Sequence, residues 1–440
     1  MKQTSIWNEY IGDNNKHKSL KKDIKVKVLI IGGGITGILC ANELKNRNID
    51  YILVEKDTIA SKTSKDTTAF LSIFHDTLYQ DLIKSKGLDK AKDYYKFNQD
   101  AIESYYKLSL QHDFDFKRCS SIIYTNKDVD KINNEKEALD KIGVSSEFID
   151  KLPINLPFTL GLKVENQATI NPVKLIFQLS KELNIFENTC INKIKNSIAY
   201  TTNGQKIIFN KVIMATKYPI KNISGLYFMK LIQKKSYVAS INYQEIENTY
   251  TCIDDNGFYF RSYNDNLIIG GFDSSLNKMC MCDFKNQINK YFKDYKINYI
   301  WSGQDCYSLD GIPYIGEYSM FNTNIYVATG FNLWGYTWAM ASSIIIADLI
   351  ENKVSSNLFY PSRSILKKQL LTNIVNSLKN IINFKKPKCP HMKSVLHYDN
   401  DENIFQCITH GSKFNSDGKV IEGPSKKDIE IKKWCVEHHF

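Results

Sequence analysis

Arginine is nearly absent from this chain. Only Arg47, Arg118, Arg261 and Arg363 stand among 58 basic residues, so lysine supplies almost all of the formal charge of +11. Nucleic-acid readers favour arginine forks set in a basic stripe. Here the lysines are scattered along the chain, so the charge reads as solvated surface, with weak attraction to acidic partners as the lesser alternative. Long apolar runs are missing too. The most apolar helical stretch, 338–347, stops at Asp348 and is too short to span a bilayer, so it reads as a buried helix. The opening residues hold no apolar core behind a basic cap, and no secretory leader is expected. The ten cysteines are then expected as reduced thiols in a cytoplasmic protein. Cys40, Cys119, Cys190, Cys252, Cys306 and Cys435 stand alone and read as ordinary core or surface thiols. Cys280 and Cys282 form a C-x-C, too little for a metal site. No His-rich motif for a mononuclear iron is present, which counts against an oxygenase of that kind. A length of 440 residues allows two or three domains, and 43% hydrophobic with 24% charged residues is an ordinary globular balance.

One segment of the chain is organised around phosphate chemistry. Residues 25–31 read KVKVLII, a β-branched run suited to a buried parallel strand. Gly32-Gly33-Gly34-Ile35-Thr36-Gly37 follows at once, then a helical stretch over 38–47 and a second strand over 51–54 ending at Glu55. Gly32 permits the tight turn, Gly34 lets a pyrophosphate approach the backbone, and Gly37 lets helix and strand pack closely. The helix N-terminus offers free N–H groups to phosphates. Glu55 lies 18 residues past Gly37, near the spacing of a carboxylate that binds ribose hydroxyls. Strand, glycines, helix, strand and acid in this order predict dinucleotide binding. The unit by itself does not choose between FAD and NAD.

Further on, Tyr94, Phe97, Ala101, Tyr105 and Leu108 recur at helical spacing over 89–111 and read as a core-facing stripe. Pro172 opens another helix. A strand near 189–194, a turn at Asn203-Gly204 and a strand over 211–215 restore a parallel-sheet texture. From 236 to about 271 adjacent strands separated by polar turns predict an antiparallel sheet. A strand over 324–328 and a helix from about Gly335 return the chain to its first domain.

This layout resembles the D-amino-acid oxidase/glycine oxidase superfamily of FAD-dependent amine oxidoreductases. The resemblance rests on VLIIGGGITG with Glu55, INPVKL around Pro172, VIMAT ending at Thr216 and NIYVATGFNLWG over 324–335, and it covers about 25–359. More closely, the chain resembles the branch fused to a C-terminal Rieske segment, through Thr4-Ser5-Ile6-Trp7, WSGQD over 301–305 and PYIG over 313–316. The resemblance implies FAD as cofactor, with Gly330, Phe331 and Gly335 at the flavin and Thr63, Thr67 and Thr68 on a loop beside it. Without a ligand, the same residues would be a plain strand–loop–helix crossover. Relatives that tether their flavin carry a histidine on that loop. Asp66 stands there instead, which implies non-covalent FAD. A carboxylate substrate would need a cation, and Arg261 is the candidate, against a bland reading as an ordinary ion pair on the sheet. Tyr259, Tyr263, Asp305 and Trp334 are candidate pocket residues.

Cys389-Pro390-His391 precedes Cys407-Ile408-Thr409-His410 by fifteen residues counted from His391. This C-x-H…C-x-x-H pattern offers the two thiolates and two imidazoles of a Rieske [2Fe–2S] centre. A Cys2His2 zinc site uses the same donors and remains open at this point, as does an empty site. His397, His438 and His439 are not placed to join. The disulfide that braces many Rieske loops is absent, with Ser394 and Thr409 at those positions. About 25 residues separate Arg363 from Cys389, and 365–382 reads as a helix, so the strands that normally precede the first ligand loop are missing.

The expected architecture is an α/β Rossmann-like FAD-binding domain with an inserted antiparallel-sheet substrate domain and a small β-rich Rieske-like module. Its segments are an N-terminal extension (1–24), the oxidoreductase (25–360, with the insertion at about 225–310), a helical linker (361–388) and a truncated module (389–440). The expected function is oxidation of a small amine or amino acid at the C–N bond, with electrons passing through the cluster to a carrier. A non-enzymatic redox-sensing or partner-binding flavo-iron–sulfur protein is the alternative. No nucleic-acid partner is expected.

Overall fold

The computed structural model describes residues 1–12, 16–221, 224–275, 280–319, 322–364 and 387–430. The helix expected over 365–382 lies outside these residues, as do Cys435, His438 and His439. Ile24–Ile31 runs through the middle of the first sheet. Lys206–Met214 and Tyr51–Val54 flank it, both parallel to it. Asn322–Thr329 and Ile185–Phe186 extend the parallel set outward on the two sides. Tyr314–Ser319 closes one edge in antiparallel sense. Valine, isoleucine and leucine dominate the central strands because protein covers both faces. Helix Ile35–Asn46 and helix Gly335–Ile350 share the largest hydrophobic core. The second helix carries the apolar stretch 338–347. Trp338, Ala341, Ile345 and Ile346 are buried in it, so those side chains face protein. No helix among the described residues is long and apolar enough to cross a membrane.

A second sheet holds nine strands among the described residues. Five of them, Leu231–Asn242, Thr249–Cys252, Phe258–Tyr263, Asn266–Ser275 and Ile297–Ser308, fall within 225–310. The remaining four, Phe70–Leu71, Lys117–Thr125, Glu147–Ile149 and Leu160–Thr169, come from earlier in the chain. All pairings are antiparallel except that of Thr249–Cys252 with Lys117–Thr125. Helix Met281–Tyr291 covers one face, packing Phe284 and Ile288 with Phe258, Phe260 and Phe272. Helix Pro172–Ser180 starts where its proline sets it, and the Asn171 side chain accepts from the N–H groups of Val173 and Lys174.

The third sheet is a small antiparallel meander of Leu396–Asp399, Ile404–Cys407, Lys413–Asn415 and Val420–Glu422. Cys389, Leu396, Phe405, Cys407, Phe414 and Ile429 form its core. It docks on the second sheet. Lys235, on Leu231–Asn242, ion-pairs with Asp399 at 2.5 Å and Glu402 at 2.9 Å, and Lys413 adds a 2.9 Å pair to Glu402. The Tyr237 hydroxyl donates to Asp401 at 3.2 Å. The N-terminal residues pair through Lys2 with Asn298 and Ile300, then bury Trp7 in a short 3-10 turn, Ile6–Tyr10.

Candidate functional site

The parallel strands of the first sheet end on a common cavity of about 760 Å³. This is where open α/β sheets bind their ligands. The turn after Ile31 contributes Gly32 and Gly34, and the end of Tyr51–Val54 contributes Glu55. Lys206–Met214 hands over to the lining stretch 215–218, and Asn322–Thr329 to Gly330, Phe331 and Gly335. Thr63, Thr67 and Thr68 close another side. Of the residues expected at a dinucleotide, Gly37 alone stays out of the lining. Its role is steric, since a Cβ there would sit 1.9 Å from the carbonyl oxygen of Gly32. The Glu55 carboxylate accepts from the N–H of Gly33 (2.7 Å) and of Asp57 (2.9 Å). Burial raises its pKa, and those two donors oppose the shift.

The threonine loop is held by three hydrogen bonds to its backbone carbonyls. Ser5 Oγ donates to the Lys65 carbonyl (2.6 Å), Trp7 Nε1 to the Thr67 carbonyl (2.7 Å) and the Tyr336 hydroxyl to the Ser64 carbonyl (2.6 Å). The Thr4–Trp7 phrase is therefore a strap on the loop. Asp66 lines the cavity, with its carboxyl pushed up to about 6 by burial.

The second sheet supplies the rest of the wall. Tyr259, Asp305 and Trp334 line the cavity as expected. Tyr263 does not; its hydroxyl donates to Asp115 at 2.6 Å and its ring packs on Trp7. Arg261 is not brought to the cavity either. It is 2% exposed, donates from Nη2 to the Ile170 carbonyl (2.8 Å), and lies over the rings of Trp7 and Tyr263. The cation on this wall is Lys234, whose Nζ sits 4.4 Å from the ring centre of Tyr307. Beside it are carboxyls that the sequence reading passed over, Asp76 and Asp273, together with Asp305. Burial, reinforced by the other two carboxyls, pushes Asp273 up to about 7. Burial likewise pushes Asp305 to about 6 and raises Asp76. A Cβ on Gly270 would lie 2.2 Å from the Tyr259 ring, so this glycine gives the tyrosine its seat. No periodicity marks Asp76, Asp273 or Lys234, because long-range pairing and a loop bring them together.

The four residues of the C-terminal motif do come together. Cys389 N–H donates to the Ser394 carbonyl and Lys393 N–H to the Cys389 carbonyl (2.8 and 2.9 Å). Cys407 N–H donates to the Ser412 carbonyl and Gly411 N–H to the Cys407 carbonyl, at the same two distances. The two loops thus share one hydrogen-bond frame, with Lys393 and Gly411 both in left-handed backbone at matching positions. Both thiols are fully buried and hydrogen-bonded to each other, which lowers the pKa of Cys407 and raises that of Cys389. The rings of His391 and His410 stand 5.1 Å apart and perpendicular. Where a disulfide would brace the loops, the Ser394 and Thr409 hydroxyls hydrogen-bond at 2.5 Å.

Both sites fit the groups expected in them. Buried polar atoms on four cavity-lining residues, Tyr218, Thr251, Asp273 and Trp334, have no hydrogen-bond partner, which leaves them for a large polar ligand. In the module the His410 ring is 3% exposed and keeps a nitrogen without a hydrogen-bond partner, which is what metal binding requires of the ligating nitrogen. Among the described residues no three His, Cys, Asp or Glu side chains converge tightly enough for a single metal ion. Sulfur paired with sulfur and imidazole with imidazole suits a cluster of two irons better than one zinc.

Comparison with known proteins agrees. Residues 27–349 match the FAD dependent oxidoreductase family, and residues 365–434 match the Rieske [2Fe-2S] domain. The Rieske 2Fe-2S iron-sulfur protein YhfW of Bacillus subtilis (strain 168) is 27% identical over 479 residues, covering 94% of each chain. L-proline dehydrogenase from P. horikoshii shares the fold with a TM-score of 0.65 at 20% identity, over 78% of this chain and 98% of that one. Glycine oxidase from Geobacillus kaustophilus also superposes with a TM-score of 0.65, at 16% identity, over 78% of this chain and 99% of its own. The chain belongs to the FAD dependent oxidoreductase family, carries a C-terminal Rieske domain, and binds FAD through the one and a [2Fe–2S] cluster through the other.

Proposed function

We propose that this protein oxidises a small amine or amino acid at its C–N bond and sends the electrons out through its iron–sulfur module to a one-electron carrier. One contact carries the reading. The ring of His410, one of the four cluster-holding residues, stands 6.0 Å from the ring of Tyr218, which lines the cavity. When bound, FAD supplies a two-electron acceptor for conversion of amine to imine, and the cluster supplies a one-electron relay.

The chain's residues take the following roles. Gly32, Gly34 and the N-terminus of helix Ile35–Asn46 seat the pyrophosphate, with Gly37 allowing the turn, and Glu55 meets the ribose. Thr63, Thr67, Thr68, Gly330, Phe331 and Gly335 enclose the flavin, held without a covalent bond. Cys389, His391, Cys407 and His410 hold the cluster. At this end of the cavity, Asp76, Asp273 and Asp305 outnumber Lys234 and Lys217, so it favours a substrate that arrives as an ammonium ion. An amine must lose that proton before it is oxidised. Asp273, with Oδ1 unpartnered and a pKa near 7, is suited to accept it there.

The test is an anaerobic screen of amines and amino acids against the pure protein, following flavin absorbance and then the EPR signal of the cluster. Bleaching followed by a reduced-cluster signal is the expected sequence. Bleaching with no cluster reduction under any condition would remove the relay. Acid precipitation should release all the yellow colour, and colour left in the pellet would show a covalent flavin.

A further inference from the structure

The iron–sulfur module reaches into the flavin cavity itself. Its last strand and the residues after it, 420–426, form part of the cavity wall. Three lysine contacts pin this segment, each involving a cavity-lining residue of the flavin domain. Lys56, just past Glu55, donates from Nζ to the Ile421 carbonyl at 3.0 Å. Lys217, between Thr216 and Tyr218, ion-pairs with Glu422 at 2.5 Å. In the other direction, Lys426 donates to the Asn192 carbonyl at 2.5 Å. The segment therefore spans from the end of Tyr51–Val54 to the end of Lys206–Met214. It is also tied to a cluster loop. The Ser425 N–H donates to Ser412 Oγ at 2.9 Å, and the Ser412 carbonyl accepts from the N–H of Cys407.

We infer that residues 420–426 of the iron–sulfur module are part of the FAD-binding site, so that the module closes over the dinucleotide and retention of FAD depends on an intact cluster domain. This rests on reading the cavity as the flavin site. Glu422 and Lys426 act as positioning residues that latch the segment, with the ligand underneath it. Because a ligand and the closure over it are linked equilibria, loosening the latch must weaken FAD binding.

The test follows release of FAD from the full-length holoprotein as the rise of free-flavin fluorescence after dilution. Glu422→Gln and Lys426→Met should each speed release about tenfold, the effect of losing one charge-assisted hydrogen bond. Iron content, labile sulfide and the EPR spectrum should stay as in the wild type. In the unaltered protein, removing the iron with a chelator under reducing conditions should speed release as well. If either variant loses its cluster, the chelated wild type decides alone. Unchanged release in cluster-replete variants, or in the chelated wild type, overturns the inference. A protein that holds its cluster but never binds FAD would instead overturn the placement of the flavin, and this inference with it.

Discussion

All four arginines of this chain hold parts of the fold together. Arg363 forks onto Asp310 with two 2.8 Å bonds, Arg47 gathers Glu43, Asp348 and Glu351, and Arg118 pairs with Glu103. Arg261 fills a buried slot under Trp7, where burial lowers its pKa to about 10. The scarcity of arginine drew attention to Arg261 as a cation for substrate, but its contacts are with the fold, which composition does not reveal. Arg261→Lys is therefore expected to lower stability by about 1–3 kcal/mol, the cost of leaving a buried polar contact poorly met. Substrate KM should not move, and a raised KM at unchanged melting temperature would return Arg261 to the substrate. Asp273 makes the opposite case, since nothing in its local sequence marks it. Asp273→Asn should slow anaerobic flavin bleaching by about 10²-fold, the lower end for loss of a general base. It should also remove the rise in that rate as pH increases through about 7, where the Asp273 carboxyl ionises. An unaltered pH profile in the variant would show that the proton goes elsewhere.

Among the elements, those with local signals were legible. The opening strand, the glycine turn, the helix after it and the proline-started helix all fall where composition and periodicity put them. The turn at Asn203-Gly204 holds as well, with Gly204 in left-handed backbone. The hairpin at Asn196-Ser197 escaped, because exposed lysines on Ile191–Lys195 blur the alternation that marks a strand. Helices Leu78–Lys86 and Val129–Ile142 escaped for another reason. Their stability comes partly from one another: Glu135 of the second caps the first, accepting from the N–H groups of Tyr79 (3.0 Å) and Gln80 (2.9 Å). Burial nevertheless pushes the Glu135 carboxyl up to about 8 against those two donors. An acid whose pKa is raised by folding gives stability that is complete below its unfolded value and is lost as pH rises through the folded one. Glu135→Gln removes that dependence. The melting temperature of the variant relative to wild type should climb between pH 5 and 8, and a constant difference would mean that Glu135 stays ionised throughout.

For the molecule as a whole, the question is whether the iron–sulfur module rides freely or forms one body with the oxidoreductase. The docking surface argues for one body. Lys235 is almost fully buried, with its side chain 4% exposed, and it neutralises Asp399 and Glu402 from the module. Glu402 is held at about 2 despite burial, because Lys413 and Lys235 both face it. A buried pair of this kind contributes little relative to an apolar contact of the same shape, but removing one partner leaves the other charge stranded, at about 3–5 kcal/mol. Lys235→Met should therefore detach the module selectively. Calorimetry of the wild type should show the module and the flavin domain melting together, and the variant should show the module melting first. Restoring charge balance with Lys235→Met plus Asp399→Asn should bring the two transitions part of the way back, because the residues are in contact and their effects are not additive. A single coincident transition in the Lys235→Met variant would mean that the ion pairs only decorate an interface held by other contacts. The module would then keep its position over the flavin cavity through its remaining contacts, the Lys217–Glu422 pair among them.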